Sequence, residues 1–398
     1  MNGFDGERAA RGLAERLADE LVESGDITDL RLRDVFARTP RHVFVPHFAV
    51  TTNTPRGTRY ELRSGSNSEQ HDEWLKAVYS NETLLTQVNG QPVEKIFAGG
   101  SGFGRHSSSS TAPGLMAWML GVLALSRGNR VLEIGTGTGY NAALLSERLG
   151  AGQVTTIDID EQLTGLARER LASIGLRPCV VTGDGRAGYP ANAPYDRVIS
   201  TCGLGYIPPA WIEQSEPDGL ILANVGGMLG GAMLLAAVEE GNTARGRFLR
   251  RWAGFMPSRH AQPNDVGYSK AAISGTTAVS PDVLDDPAFG FLAELHIPRA
   301  RRYWATDAEG RNITGLKRHD GSWAEVHKAG RDGEQHVRQG GPERLWDRIE
   351  EAYGLWEEKG RPDWSRFSFE ARPDGQIIAL EDRQWRLPVE AIDEASVL

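Results

Sequence analysis

The sequence predicts an α/β protein: a doubly wound, Rossmann-like sheet, with a helical cap before it and an α+β domain after it. Three observations carry this. A short apolar run, Val131, Leu132 and Ile134, is long enough for one buried strand and breaks into glycines at Gly135, Gly137 and Gly139. An amphipathic run follows at once, with Ala142, Ala143, Leu145 and Leu149 at helical spacing. Strand and helix patterns then keep alternating for about a hundred residues, the pattern of a parallel sheet.

Taken in order, residues 8–24 read as an amphipathic helix carrying Leu13, Leu17, Leu21 and Val22, with Gly25 as its stop. A second helix covers Asp29 to Arg38, with Leu32, Val35 and Phe36 inward. Thr39 to Pro46 reads as a short β-like run between prolines, with Phe44 and Val45 anchoring a cap of residues 1–50. Arg41 and His42 are candidates to touch a substrate carboxylate, with packing as the plainer reading. Residues 51–105 are polar and glycine-rich and read as an insertion, either a lid or a decorated surface loop. Ser107 to Thr111 places five hydroxyl side chains in a row, read as a loop leading into a helix from Gly114 to Ser126. Pro113 suits the first turn of that helix. The hydroxyls either cap it or form a row of neutral donors for a carboxylate, with Ser108 and Ser109 beside Ser110 and Thr111.

After the glycine turn, Gln153 to Asp158 is a second strand, Glu161 to Ile174 a helix, and Pro178 to Thr182 a third strand ending in Gly183-Asp184-Gly185. Tyr195 to Ser200, Leu220 to Val225 and Ala232 to Val238 complete a parallel-sheet domain of residues 106–240. The tail, 241–398, reads as α+β. It contains β-rich stretches around Arg302 to Trp304 and Trp323 to His327, a helix from Pro342 to Lys359, and a hairpin turning at Pro373-Asp-Gly375. Arg245, Arg247, Arg250 and Arg251 read as a solvated strand edge, with an acidic peptide as the alternative partner.

Composition narrows the class. The chain has 398 residues, 40% hydrophobic and 24% charged, enough for two or three soluble domains. A net charge of −9 argues against general nucleic-acid binding. No apolar run reaches the ~18 residues of a membrane span, and no signal peptide is evident, so a cytoplasmic protein is expected. Cys179 and Cys202 read as buried small residues, and no metal-ligand spacing is present.

The acids decide the ligand class. A dinucleotide site prefers a small third residue in the glycine pattern, and Tyr140 stands there. Glu133 before the glycines, Asp158 at the end of strand two and Asp184 after strand three instead suit S-adenosylmethionine in a class I methyltransferase. For each of these carboxylates the plainer reading is a loop cap.

With these residues laid out, the chain resembles the protein-L-isoaspartate O-methyltransferase family. The likeness rests on Pro40-Arg-His-Val-Phe-Val-Pro46, Ser110-Thr-Ala-Pro113, Val131 to Tyr140, Gly183 to Gly188, Ala193-Pro-Tyr-Asp196, and Ile207-Pro-Pro followed by Gln214. It implies cofactor positions at Glu133, Gly135, Thr136, Gly137, Asp158, Ile159, Asp184 and Gly185, and an active-site hydroxyl at Thr111 beside Ser110. The family's usual Ser is Thr here. The hydroxyl-rich loop at Ser107 to Ser110 and the tail make this long chain similar to relatives that methylate an Asp of a ribosomal precursor peptide (lanthipeptide, lasso peptide or graspetide), whose ester closes to an aspartimide. Isoaspartate repair is the alternative. The resemblance implies S-adenosyl-L-methionine as cofactor, S-adenosyl-L-homocysteine as product, a peptide as partner, and a monomer.

Overall fold

The computed structural model describes residues 3–54, 57–97, 101–102, 104–259, 271–307, 310–327 and 335–390. The described residues fall into two compact units. One comprises those up to Thr201 together with Gln214–Leu220; the other comprises Cys202–Glu213 and those from Ile221 onward.

The first unit opens with helix Gly3–Glu23, which buries Leu17, Ala18 and Leu21; Gly25, at φ +77°, follows it. Asp29 caps the next helix, Leu30–Arg38, accepting from the Arg31 amide at 3.0 Å, and Leu32, Val35 and Phe36 point inward as expected. The expected β-like run after Thr39 is instead one helical turn, Arg41–Phe44, started by Pro40. Proline's fixed φ pre-sets such a turn, and the strand begins only after Pro46. Phe44 and Val45 are fully buried.

Residues 51–105 are more than a loop. Strands His47–Thr54, Gly57–Ser64, Leu84–Val88, Gln91–Pro92, Ser101–Gly102 and His106–Ser110 form a six-stranded sheet. It has its own core of Ala49, Tyr60, Leu85, Val88, Val93 and Phe97, with the Tyr60 and Phe97 rings stacked at 5.5 Å. The hydroxyl run is therefore its last strand and not a loop: Ser110 lies opposite Leu84 and Ser109 opposite Leu85. Strand alternation sorts the hydroxyls, leaving Ser108 and Ser110 buried and Ser107 and Ser109 half-buried.

Helix Pro113–Val122 follows, with proline in its first turn as expected. Its cap is not a neighbouring hydroxyl. Asn81 Oδ1 accepts the Gly114 N–H at 2.7 Å across 33 residues of chain. Asn81→Ala is expected to cost about 1 kcal/mol in chemical denaturation, whereas Asn81→Asp, which keeps the acceptor, should stay near wild type.

The rest of the unit is the predicted parallel sheet. Val131–Ile134 is buried throughout and pairs in parallel with Tyr195–Leu204 on one side and Val154–Asp158 on the other. Cys179–Thr182 pairs with Val154–Asp158. Helices Tyr140–Leu149 and Glu161–Ser173 connect the strands.

In the second unit strand pairing runs straight across the boundary expected at residue 240. Strand Gly231–Glu239 lies antiparallel to Thr243–Phe248, which continues antiparallel to Ser368–Arg372, Gly375–Leu380 and Arg383–Leu387. The link is a hairpin whose Gly241 and Asn242 both have positive φ, +76° and +56°. Arg245 is consequently not on a sheet edge. It is flanked by Glu239 at 3.5 Å and Glu370 at 3.0 Å. A second, five-stranded sheet runs in the order Ile273–Thr277, Gln335–Gly340, Trp323–His327, Asn312–Lys317, Arg301–Thr306. Helices Pro287–His296 and Leu345–Glu358 supply Phe289, Phe291, Trp346, Ile349 and Trp356 to the core.

Candidate active site

The glycine turn is held open by its surroundings. Gly135 has φ +95° and donates to Ile157 O at 2.8 Å; a Cβ there would stand 2.6 Å from Thr201 Oγ1. Thr201 braces this turn from its own strand, donating to the carbonyls of Ile134 and Gly135 at 3.1 and 2.8 Å. The Thr136 and Thr156 hydroxyls share a hydrogen bond of 2.7 Å. A Cβ on Gly137 would be 3.7 Å from Ser108 Oγ and from the Ser109 carbonyl. The glycine turn and the hydroxyl strand, separate in sequence, therefore face each other.

Glu133 is the buried carboxyl of the site. It is fully buried, and burial pushes its carboxyl up to about 7. Oε1 accepts from Asn141 Nδ2 at 2.7 Å, while Oε2 and Asn141 Oδ1 are buried acceptors without a donor. Such atoms are costly unless a donor-bearing group arrives.

Asp158 and Asp184 shape the turns that carry them. Asp158 Oδ2 accepts the Gly137 N–H at 2.9 Å, and Oδ1 that of Asp160 at 3.1 Å. Ile159, beside it, is 44% exposed, an apolar platform at the strand end. Asp184 caps the turn at Gly185 by accepting the Arg186 N–H at 3.0 Å and forms an ion pair with that side chain at 2.6 Å. Gly185 lies against Ile134, where a Cβ would come within 2.6 Å. Both aspartates thus cap loops, whatever else they bind.

Arg41 and His42 do not have the setting of substrate contacts. The Arg41 side chain is wholly buried and donates to the carbonyls of Val78, Ser80, Glu82, Ser110 and Thr111. His42 Nδ1 lies 2.7 Å from the Tyr79 hydroxyl, and burial lowers its basicity. Along the strand, Ser107 Oγ accepts from Gly90 N at 2.9 Å, Ser108 Oγ from Thr86 Oγ1 at 3.5 Å, and Ser110 Oγ from Arg41 at 3.4 Å. The half-buried Thr111 hydroxyl makes no hydrogen bond among the described residues.

Three supporting residues were given no individual function by the sequence reading: Asn141, Thr201 and Gln214, the last entering it only as part of the resemblance. Gln214 clamps the loop after Asp184, accepting from Tyr189 N at 2.7 Å and donating to Ala187 O at 2.8 Å. Its signal was Gly188, where any Cβ would strike the Gln214 amide at 2.3 Å. Asn141 was visible as a polar residue in the first turn of an otherwise apolar helix face.

Comparison with known proteins gives the family and the fold. The family profile described as protein-L-isoaspartate(D-aspartate) O-methyltransferase matches residues 100–245. A protein-L-isoaspartate O-methyltransferase of Methanosarcina mazei is 40% identical over 216 residues, 53% of this chain and 71% of that protein. One from Azorhizobium caulinodans is 44% identical over 115 residues, 29% of this chain and about half, 52%, of that protein. A solved protein-L-isoaspartate O-methyltransferase shares the fold with a TM-score of 0.51 at 20% identity, covering 92% of this chain and 99% of its own.

Proposed function

The chain belongs to the protein-L-isoaspartate O-methyltransferase family, and from that premise we propose that it methylates a peptide carboxylate, an isoaspartyl one first, using S-adenosylmethionine. The observation that carries this is the apposition of Gly137 and the Ser108–Ser109 segment, so close that a Cβ on the glycine would lie 3.7 Å from Ser108 Oγ. It sets a row of neutral donors against a turn built for close approach of a ligand.

The residues present fit the cofactor. Glu133 Oε2 and Asn141 Oδ1 lack donors in a buried place, and the ammonium of a methionine moiety would satisfy them. Asp158 would take the ribose diol, with Thr136 and the bare backbone of Gly135 and Gly137 beside it. Ile159 would lie against the adenine face, and Asp184 with Gly185 would meet its edge. When bound, the sulfonium supplies an electrophilic methyl group. The chain's own work is then positional. An isoaspartyl or aspartyl carboxylate is already ionised at pH 7, so no strong general base is required. Ser110 and Thr111 would hold its oxygens in line, and alignment supplies the rate. Because Arg41 donates to Ser110 Oγ, that hydroxyl keeps its own proton for an acceptor.

A second reading keeps the same chemistry with a different acceptor: an aspartyl side chain of a constrained ribosomal precursor peptide, the ester then closing to an aspartimide. Its support is the unbroken five-hydroxyl run and the large 47–110 sheet. The tail does not discriminate, since the fold likeness to a solved member of the family runs over 92% of the chain. Labelled methyl incorporation into a short isoaspartyl peptide, compared with a cyclised peptide bearing a normal Asp, separates the two. Label in the isoaspartyl peptide alone supports repair; label in the cyclic peptide alone supports the precursor reading. Label in neither overturns carboxyl methylation.

The role of Thr111 has its own test. Thr111→Ala is expected to lower turnover about tenfold, the value of one hydrogen bond to a charged group, about 1.4 kcal/mol. Cofactor affinity by calorimetry should stay within about twofold. Wild-type turnover in the variant would remove Thr111 from the acceptor site.

A further inference from the structure

Arg41 carries a buried charge of which the proposed chemistry uses only the hydrogen bond to Ser110 Oγ. Its guanidinium is completely enclosed, and among the described residues no carboxylate pairs with it. Its hydrogen bonds end on neutral oxygens: the carbonyls of Val78 and Ser80 at 2.8 and 2.9 Å, Glu82 at 3.0 Å, Thr111 at 3.2 Å, and the Ser110 carbonyl and hydroxyl at 3.4 Å each. The Tyr140 ring lies 5.7 Å away. Nε has no hydrogen-bond partner among the described residues. Burial lowers the basicity of the group, yet to about 10, so the charge persists at neutral pH.

A protein interior rarely keeps an unpaired cation, because its desolvation is not repaid by dipoles alone. Stability by itself would favour a paired or apolar side chain here. The position of the charge offers another explanation. It lies directly behind residues 110 and 111, the two proposed to orient the acceptor. By gathering their carbonyls it turns the oxygens of these peptide groups away from the acceptor. Trans peptide geometry sends the Thr111 N–H the opposite way, while the Ala112 N–H is already taken by Thr83 Oγ1 at 3.1 Å.

We propose that Arg41 is a positioning residue that makes the acceptor site selective for anions. It does not touch the acceptor. It draws the carbonyls of Ser110 and Thr111 backward and leaves one positive charge behind their hydroxyls, a charge that only an incoming carboxylate balances. An amide of the same shape gains nothing from it. The inference rests on the carboxyl-methylation reading above.

The test compares an isoaspartyl peptide as substrate with its neutral amide analogue as competitive inhibitor, using wild type, Arg41→Gln and Arg41→Lys. In Arg41→Gln the KM for the acid is expected to rise at least about tenfold, with the ratio of acid to amide affinity falling by a similar factor. The dissociation constant for S-adenosylhomocysteine should stay within about twofold, which a general loss of structure would not allow. Arg41→Lys, which keeps the charge without the fork, should restore most of the acid preference. An Arg41→Gln variant that binds cofactor normally and discriminates acid from amide as wild type does would overturn the proposal. Should the Gln variant not fold, the Lys variant decides: loss of acid preference with normal cofactor binding defeats it, and retention supports it. Absence of methyl transfer by wild type to any carboxyl peptide would instead sink the functional reading, and this inference with it.

Discussion

Asp158→Ala should weaken S-adenosylmethionine binding about a hundredfold, measured by calorimetry on the purified full chain. The carboxylate has two duties that fail together. It holds the Gly137 and Asp160 N–H groups at 2.9 and 3.1 Å, and it ends the strand at the place proposed for the ribose. Hydrogen bonds to a charged acceptor contribute about 1.5–3 kcal/mol each when the partner is left behind unpaired. A net loss of about 2.7 kcal/mol, or a hundredfold, is therefore a modest expectation after the loop relaxes. The fold should survive, because the strand itself is held by parallel pairing with Val131–Ile134 and Cys179–Thr182. Asp158→Asn separates the duties. It keeps one carbonyl oxygen for a backbone N–H but places a donor where the second N–H points, so intermediate affinity is expected. A dissociation constant within about threefold of wild type for Asp158→Ala would show that the ligand does not sit at this strand end.

What the sequence made legible was whatever depends on neighbours along the chain. The strand–glycine–helix unit at 131–149 was readable because its apolar period and its glycines are local, and the tail helix Leu345–Glu358 declares itself by Trp346, Ile349 and Trp356 on one side. The hairpin at Gly241-Asn242 is equally local, yet the parallel alternation upstream suggested that the sheet simply ended with strand Gly231–Glu239, which instead turns back on Thr243–Phe248. Long-range partners were not legible. Nothing near Arg245 announces Glu370, and nothing near Gly114 announces Asn81. The strand character of Ser107 to Ser110 was hidden for the same reason: serine has weak strand preference, and only pairing with Leu84–Val88 fixes it. Arg41 shows the limit most clearly. Its residue type left a substrate contact open beside packing, while the structure gives it buried carbonyl partners at Val78, Ser80 and Glu82.

Glu133 should make cofactor affinity depend on pH in a definite direction. Burial raises its carboxyl to about 7, from an ordinary value of 4.5. In the ligand-free protein the group is thus largely protonated at pH 6. A raised acid favours folding fully below about 4.5, and that contribution is lost as pH rises through about 7. Stability alone is a poor readout, because Glu294, buried in the other unit, is raised to about 7 as well. Binding isolates Glu133. An ammonium held against its carboxylate favours the ionised form, so occupancy lowers its pKa and releases a proton. Affinity for S-adenosylmethionine should therefore climb between about pH 5.5 and 7, approaching tenfold per unit, and level off above about 7. Calorimetry at about pH 6 in buffers of different ionisation enthalpy should show release of close to one proton, falling toward zero at about pH 8. In Glu133→Gln the pH slope and the proton release should both vanish, with affinity at about pH 8 reduced about a hundredfold by loss of the charge. Equal wild-type affinity at pH 6 and pH 8 would mean that the buried carboxylate does not face the cation, and the donorless oxygens of Glu133 and Asn141 would need another partner.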